Sequence, residues 1–326
     1  MTTASVSKPI PTDLAGELVA HPNGLQILQR IRQLTKRYVT EAVLRDRLEE
    51  LPQQLDCPTL RPWGAIAWRE VTPDQLVGID PETFCATLLG TINTEAPIRG
   101  YTQSSRQYLA ACYPAMARFV GGEVDDSGQL TTIGLWEREE KRHTPALAKM
   151  YRCLSGQHPD IVPHSARPYR PAADPHENLY RHGLHRVATE YGAACLYLWM
   201  MAHSTGALQA ALGELLIDEI NHMTKFWGFG MWAYPDSSLL KIGQTLSRAL
   251  VAKTRDRTTQ GSLLHTLRRM MHELAWERWS TTQRLTFLYT LDQVIKPICQ
   301  WHQSLTPAYL TPLLGQRPLA GNDTNA

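Results

Sequence analysis

At 326 residues the chain is longer than a typical single domain, but it contains no long linker that would separate two cores. Apolar residues make up 43% of the sequence and charged residues 20%, a globular composition that argues against extensive disorder. The formal charge of +2 is too small to indicate nucleic-acid binding. We therefore predict one domain over 21–305, preceded by a flexible N-terminus (1–20) and followed by a flexible C-terminal tail (306–326).

Cysteine usage and hydropathy bear on the compartment. The six cysteines are scattered without a Cys-x-x-Cys spacing, which indicates neither a zinc site nor a disulfide framework. Residues 1–12 lack the apolar core of a secretory signal, and the most apolar stretch, 193–202, is too short to span a bilayer. These features predict a cytoplasmic protein without a membrane span.

The first elements are predicted from apolar spacing and from proline. Leucine and isoleucine recur at helical spacing over 24–51, which predicts a first long helix. The segment 57–73 is rich in proline and tryptophan and is predicted to be an irregular connection. Asp80 followed by Pro81 is typical of a helix cap and a first helical turn.

The next two predicted helices contain proline. One runs from 81 to about 120 and is expected to kink at Pro97 and Pro114. The other runs from about 131 to 154 and is expected to bend at Pro145. Both are followed by glycine-containing turns, which are typical helix ends.

A proline-rich segment separates the two halves of the chain. Five prolines within 158–175 exclude a continuous helix there. Two long helices are then predicted over 177–203 and 207–232, joined by a short turn, with two or three more helices up to about residue 304. No segment shows the alternation of a strand.

Two Glu-x-x-His pairs, at 140–143 and 219–222, are the strongest chemical signal. Residues three apart on a helix share a face, so each pair can direct one carboxylate and one imidazole to the same metal. Such pairs also occur by chance, but here each is preceded by a glutamate on the preceding predicted helix. The six predicted metal ligands are Glu95, Glu140, His143, Glu190, Glu219 and His222.

This order matches the way helix bundles hold two metals, with single glutamates from two helices and Glu-x-x-His pairs from two others. We therefore predict an all-α fold: a ferritin-like four-helix diiron bundle over about 81–232 with additional flanking helices. Carboxylate and imidazole ligands favour iron or manganese over metals that prefer sulfur. Asp218 and Arg142 each lie next to a predicted ligand in sequence and are expected to orient the ligands.

Segments around these ligands resemble one known family. Residues 136–143, Trp-Glu-Arg-Glu-Glu-Lys-Arg-His, resemble the Trp-x-x-Glu-Glu-x-Arg-His segment of the soluble acyl-acyl-carrier-protein desaturases, a ferritin-like diiron family. Residues 218–222 are similar to the second family segment, with Asn221 in place of the usual arginine. Residues 94–102 are similar to the segment around the first single glutamate, with altered spacing. The likeness covers about 63–232, and the proline-rich segment departs from it.

The resemblance implies a function for the cluster. Two iron ions, or manganese in their place, would be held by the six ligands and would use dioxygen to introduce a double bond into an acyl chain carried as a thioester. It also implies an acyl carrier protein and a ferredoxin-type electron donor as partners, and a homodimer. By the same resemblance, Trp63 or Trp68 corresponds to a family tryptophan proposed to relay electrons together with Asp218.

Two alternatives remain open on the sequence. The first is another ferritin-like diiron oxygenase, of the hydroxylase, N-oxygenase or aldehyde-deformylating type, which would share the ligands but have a differently shaped or more polar pocket. The second is a non-enzymatic helical or iron-handling protein, in which the six residues are ordinary core or surface groups.

Overall fold

The computed structural model describes residues 24–163, 169, 174–251, 271–272 and 274–317. These residues are mostly helical, which confirms the all-α prediction. The predicted flexible N-terminus, residues 1–20, lies outside the described residues. No helix in the described part of the chain is long and apolar enough to cross a membrane.

The helices are numbered in chain order over the described residues. They are α1 (Gly24–Tyr38), α2 (Glu41–Glu49), α3 (Leu51–Asp56), α4 (Pro81–Glu95), α5 (Ile98–Leu109), α6 (Pro114–Gly121), α7 (Leu135–Glu140), α8 (His143–Ser155), α9 (Pro175–Ala202), α10 (Gly206–Ala233), α11 (Leu239–Val251), α12 (Thr281–His302) and α13 (Pro307–Leu314). Short 3-10 turns occupy Trp68–Glu70, Pro73–Gln75 and Trp276–Arg278.

The first predicted helix is divided into three. Thr40 adopts an extended conformation between α1 and α2, and its side chain accepts a hydrogen bond from the Val43 amide at 3.2 Å. A threonine that caps the next helix in this way ends the one before it. The irregular connection predicted over 57–73 is confirmed apart from one short 3-10 turn.

Prolines break the second predicted helix rather than kink it. Asp80 caps α4 as expected, because its Oδ1 accepts a hydrogen bond from the Thr83 amide at 2.8 Å. The chain then leaves the helix at Pro97 and again before Pro114, giving α4, α5 and α6 in place of one element. Proline cannot donate a backbone hydrogen bond and its ring collides with the preceding turn, so interruption here has a direct cause.

The third predicted helix begins later and breaks earlier than expected. A short antiparallel hairpin, β1 (Glu123–Val124) and β2 (Leu130–Thr132), precedes it and takes up its predicted start, although the sequence shows no strand-like alternation there. The Asp125 side chain accepts bonds from amides inside the loop, and this turn chemistry favours a hairpin. The helix then breaks between Glu140 and His143, because Pro145 cannot donate to the carbonyl of Lys141.

Helices α9 and α10 form the centre of the molecule and make the most extensive helix contact in the described residues. Both match their predicted positions closely. Leu198 on α9 and Leu212 and Leu215 on α10 are fully buried in this core. Helices α1, α2 and α12 pack on the outside of the pair, while α4 packs on α8.

Helix α13 occupies part of the segment that the sequence analysis assigned to a flexible tail. It packs against α10, and Leu310 is buried in that contact. Trp232 Nε1 on α10 donates a hydrogen bond to the Gly315 carbonyl at 3.0 Å. Residues 307–317 are therefore part of the folded unit, and 318–326 lie outside the described residues.

All six cysteines lie within the described residues and are free. Cys85 and Cys195 are buried, and burial raises the pKa of the Cys85 thiol to about 11. A buried thiol with a raised pKa is a poor nucleophile. The expectation that the chain has no disulfide framework is confirmed for these six residues.

Candidate metal centre

Four helical segments deliver the predicted ligands to one place. Glu95 is the last residue of α4, Glu190 lies in the middle of α9, and the second Glu-x-x-His pair lies within α10. The first pair spans the junction of α7 and α8, because Glu140 ends one helix and His143 begins the next. The assumption that this pair lies on one continuous helix was therefore wrong.

The junction nevertheless preserves the helical spacing of the first pair. Lys141 has φ −59° and ψ −15°, and Arg142 has φ −79° and ψ −24°, so both residues stay in the right-handed helical region. Residues three apart across such a turn still share a face. Glu140 and His143 therefore point to the same side although the regular helix is interrupted.

The structure brings all six predicted residues together in two overlapping groups. One contains Glu95 and His143, the other contains Glu190 and His222, and Glu140 and Glu219 belong to both. Within each group, one donor atom from every residue lies within 4.8 Å of the others. Glu140 and Glu219 therefore each offer a donor atom to both groups.

The donor atoms of each group lie close enough together to share a metal ion. His143 Nδ1 lies 3.1 Å from Glu219 Oε1 and 3.3 Å from Glu140 Oε2. His222 Nδ1 lies 2.8 Å from Glu140 Oε1 and 3.6 Å from Glu190 Oε2. The two imidazole rings are 6.4 Å apart between centroids.

Four atoms that face the interior of the cluster are buried and have no hydrogen bond of good geometry, although both imidazole nitrogens lie close to carboxylate oxygens. They are His143 Nδ1, Glu190 Oε2, Glu219 Oε1 and His222 Nδ1. Leaving buried polar atoms unpaired is costly, and native proteins rarely do so without a reason. A metal ion would satisfy all four, and a donor set of carboxylates and imidazoles suits a divalent cation. The cluster can therefore hold metal.

Carboxylates outside the cluster orient both imidazoles. His143 Nε2 lies 3.3 Å from Asp218 Oδ2, and His222 Nε2 lies 3.0 Å from Glu139 Oε2. A histidine whose Nε2–H donates to a carboxylate presents an unprotonated Nδ1 to a metal. Asp218 was predicted from the sequence, whereas Glu139 was missed.

A repeated signal in the sequence could have identified Glu139. Each motif has an acidic residue directly before its glutamate, Glu139 before Glu140 and Asp218 before Glu219. In the structure each of these acids binds the histidine of the other motif. The two motifs therefore support each other across the cluster.

Asp218 is the centre of a buried hydrogen-bond network. Its carboxylate accepts from Arg61 Nε at 2.6 Å, from Arg142 at 2.8 Å and from Trp63 Nε1 at 2.9 Å. Burial opposes its charge, but the bond to His143 and the nearby positive charges hold the pKa of Asp218 well below its usual range. Arg142, which was predicted from the sequence to help orient the ligands, contacts Asp218.

Arg61 and Trp63 lie in the irregular connection before α4. The Arg61 amide also donates to Glu139 Oε1 at 3.1 Å, so this residue binds both carboxylates that orient the histidines. Of the two tryptophans considered from the sequence, Trp63 contacts Asp218. Trp68 instead lies beneath the ammonium of Lys149, 4.6 Å from its ring centroid.

Two aromatic side chains bind the predicted ligands directly. Trp136 Nε1 donates to Glu140 Oε1 at 2.9 Å, and the Tyr197 hydroxyl donates to Glu95 Oε1 at 3.1 Å. Both rings are fully buried. They shield the cluster from water and fix one oxygen of each carboxylate.

Electrostatic repulsion distributes the protons of the cluster unevenly. Burial and the charges of Glu140 and Glu190 raise the pKa of Glu95 to about 8. Burial and Glu140 likewise raise the pKa of Glu219 well above its usual range. Burial opposes the charge of Glu140 too, but its contacts with His143 and His222 lower its pKa well below the usual range.

The pKa values of the two histidines are also raised, but for a histidine this means that the charged form is favoured. Burial disfavours their protonated forms, but the facing carboxylates outweigh burial and raise the pKa of both His143 and His222 well above the ordinary value. Without metal, protons therefore supply the positive charge that this group of carboxylates requires. A divalent cation would replace them, so metal binding should release protons.

Comparison with known proteins adds no further assignment. No protein-family model matches the chain, and neither the curated proteins nor the solved structures gave a match. The case for a metal centre therefore rests on the chemistry of the donor set, its burial and its unpaired atoms.

Proposed function

We propose that the protein is an oxidoreductase that binds two metal ions, iron in the first instance, and uses dioxygen. The observation that carries the proposal is the convergence of four unpaired, buried ligand atoms, one of them on Glu219, in a cluster whose two groups share Glu140 and Glu219. Oxygen and imidazole donors favour iron or manganese over metals that prefer sulfur. When bound, a diiron pair supplies the activation of dioxygen and the removal of hydrogen from the substrate.

Each ligand has a defined part in this proposal. Glu95 and His143 would hold one ion, Glu190 and His222 the other, and Glu140 and Glu219 would bridge them. Asp218 and Glu139 keep a proton on the outer nitrogen of each histidine, so that the inner nitrogen is free to bind. Trp136 and Tyr197 exclude water from the carboxylates that they contact.

Resemblance to the acyl-acyl-carrier-protein desaturases supplies the proposed substrate and partners. The substrate would be an acyl chain carried as a thioester on an acyl carrier protein, with a ferredoxin-type protein as the electron donor. The order of the ligand-bearing helices α4, α7–α8, α9 and α10 supports a ferritin-like arrangement. The Trp136–His143 segment carries the likeness most strongly, and its Trp136, Glu139, Glu140 and His143 side chains lie in or against the cluster.

A second candidate is another oxygenase of the same superfamily acting on a more polar substrate. It is favoured by one face of α9, where His182, Arg186 and Glu190 are spaced at four-residue intervals and lead to the cluster. A buried guanidinium and an imidazole this close to the cluster are unexpected beside a site that accepts only an acyl chain. The two candidates share every ligand and differ in what reaches the metals.

Metal analysis tests the proposal directly. Protein produced with iron supplied should contain about two metal ions per chain, and replacing both Glu140 and His222 with alanine should remove most of them. Glu177→Gln is a matched control, because Glu177 lies on α9 away from the cluster and, within the described residues, forms its ion pair with Arg181 at the surface. Folded wild type without metal would contradict the proposal.

Activity distinguishes the two candidates once metal is bound. With an acyl carrier protein substrate, dioxygen and a ferredoxin system, desaturation lowers the product mass by about two hydrogens, whereas oxygenation adds oxygen. Mass spectrometry of the released acid separates these outcomes. Loss of either product in the Glu140 and His222 double variant would tie the reaction to the cluster.

A further inference from the structure

An arginine lies buried beside the candidate metal centre and binds none of the predicted ligands through a hydrogen bond. Arg186 is 9% exposed and lies one helical turn before Glu190 on α9. Its Nε is buried without a hydrogen-bond partner, and its guanidinium forms no hydrogen bond or ion pair with the residues that the structure describes. A buried cation without a direct partner is unfavourable, so its presence calls for a partner that binds there.

Aromatic rings hold this guanidinium in place. Its central carbon lies 5.3 Å from the ring centroid of Tyr101 and 5.9 Å from that of Trp136. Trp136 is the side chain that donates to Glu140, so Arg186 lies just outside the ligands. Ring contacts use the face of a guanidinium and leave the N–H groups along its edge available for hydrogen bonds.

Other cations near the cluster have acidic partners. Arg142 pairs with Asp218 at 2.8 Å, and Arg99 pairs with Glu137 at 2.6 Å. Lys225, which is only 1% exposed, lies 3.6 Å from a carboxylate oxygen of Glu50. Arg186 differs from all of these, because the nearest acids, Glu190 and Glu140, are committed to the metal positions.

Polar side chains continue along the same face of α9 before Arg186. One turn earlier on α9, half-buried His182 lies 2.9 Å from Ser105 Oγ and stacks on Tyr108. Burial and the charge of Arg186 lower the pKa of His182 well below its ordinary value, so this imidazole is neutral. Arg186 is therefore the fixed positive charge on this face of α9, between the partly exposed end and Glu190.

We propose that Arg186 binds the free carboxylate of a small organic acid and places its apolar body beside the metal positions. A guanidinium matches a carboxylate through two parallel hydrogen bonds, and the flanking rings suit an apolar body. As a substrate site, the inference rests on the proposed function and favours the oxygenase candidate over a carrier-bound acyl chain. Binding itself depends on Arg186 alone.

Hexanoate and its neutral analogue hexanamide provide the probes. Calorimetric titration of metal-free and Mn²⁺-treated wild type should show hexanoate binding at least about tenfold tighter than hexanamide, because only the carboxylate pairs with the charge. Arg186→Gln should weaken hexanoate binding at least about tenfold and leave the hexanamide affinity unchanged. Arg186→Lys keeps the charge without the two-pronged geometry and should fall between them.

Arg181→Gln is the matched control, because Arg181 lies on the same helix but is exposed and paired with Glu177. It should leave hexanoate binding unchanged. If Arg186→Gln does not fold, as judged by circular dichroism, the lysine variant alone decides the outcome. The lysine variant should bind hexanoate more weakly than wild type but bind hexanamide with unchanged affinity.

Three results would overturn the inference: no saturable hexanoate binding by wild type, equal affinity for the two probes, or unchanged binding in the Arg186 variants. Arg186 would then serve only to offset the charges of Glu140 and Glu190. Metal content measured on the same samples separates this inference from the proposed function. The protein could bind hexanoate through Arg186 and yet take up no metal. That result would support the carboxylate site and contradict the proposed oxidoreductase function.

Discussion

Replacing Asp218 with asparagine tests how the outer carboxylates support the cluster. The Asp218 side chain is fully buried, and its two oxygens contact Arg61, Arg142, Trp63 and His143. Asparagine keeps the shape but removes the charge and turns one oxygen into an NH₂ group. Hydrogen-bond donors face both carboxylate oxygens. Whichever way the amide is oriented, its NH₂ group therefore lies against at least one of these donors.

The substitution should lower both the stability of the protein and its affinity for metal. Removing one partner of a buried ion pair lowers the free energy of unfolding by about 3–5 kcal/mol. Arg61 and Arg142 are 17–21% exposed and can be partly solvated, so we expect a loss of about 3 kcal/mol, at the lower end of this range. Loss of the partner that orients His143 should weaken metal binding by about 10–100-fold. Urea denaturation of the metal-free protein gives the first quantity, and titration with Mn²⁺ or Fe²⁺ gives the second.

Glu214→Gln provides a matched control for this substitution. Glu214 is the other carboxylate that pairs with Arg61, at 2.8 Å, but none of its hydrogen bonds within the described residues joins it to a histidine. Being partly exposed, this pair should contribute no more than about 1 kcal/mol, and its loss should leave metal affinity unchanged. If Asp218→Asn binds metal as tightly as wild type, Asp218 does not set the orientation of His143, and the role assigned to this carboxylate is wrong.

Four further substitutions test other parts of the structure. Glu139→Gln removes the corresponding support from the second histidine and should also weaken metal binding about 10–100-fold, as measured by the same titration. Gly228→Ala would force a methyl group against the buried Leu48 side chain and should cost about 1–3 kcal/mol in urea denaturation. Gly230→Ala, where the added methyl group meets open space, should instead stabilise α10 by up to about 1 kcal/mol. Burial lowers the pKa of His203 to about 4, so the folded protein favours the neutral imidazole. The stability that this residue contributes is therefore complete above its ordinary pKa of 6.5 and is lost as the pH falls toward 4, by up to about 3 kcal/mol. His203→Gln should remove that part of the pH dependence in denaturation measured at pH 7 and pH 5.

The long helices and the six clustered residues could be predicted because their signals are local or periodic. The second Glu-x-x-His pair lies on a continuous helix, where sequence spacing translates directly into a shared face. Asp80 and Pro81 mark a helix start by their own backbone chemistry. Such features depend little on the rest of the fold.

Features created by packing could not be predicted in the same way. Arg61 lies in a segment without periodicity, yet its side chain and amide bind both carboxylates that orient the histidines. Arg186 has the spacing of an ordinary helical residue, and that its Nε has no hydrogen-bond partner among the described residues emerges only when the neighbouring helices are in place. Proline positions were visible, but whether a proline kinks or ends a helix depends on what the interrupted turn packs against.

The arrangement of the two motifs explains why they belong together. Each acidic residue that precedes a glutamate of the cluster binds the histidine of the opposite motif, so neither motif completes its own site. Arg61 binds both of these acids, and Glu140 and Glu219 belong to both groups of donor atoms. A change in one motif is therefore transmitted to the ligands of the other through direct hydrogen bonds. Because of this reciprocal dependence, the two Glu-x-x-His motifs form one cluster rather than two independently supported groups.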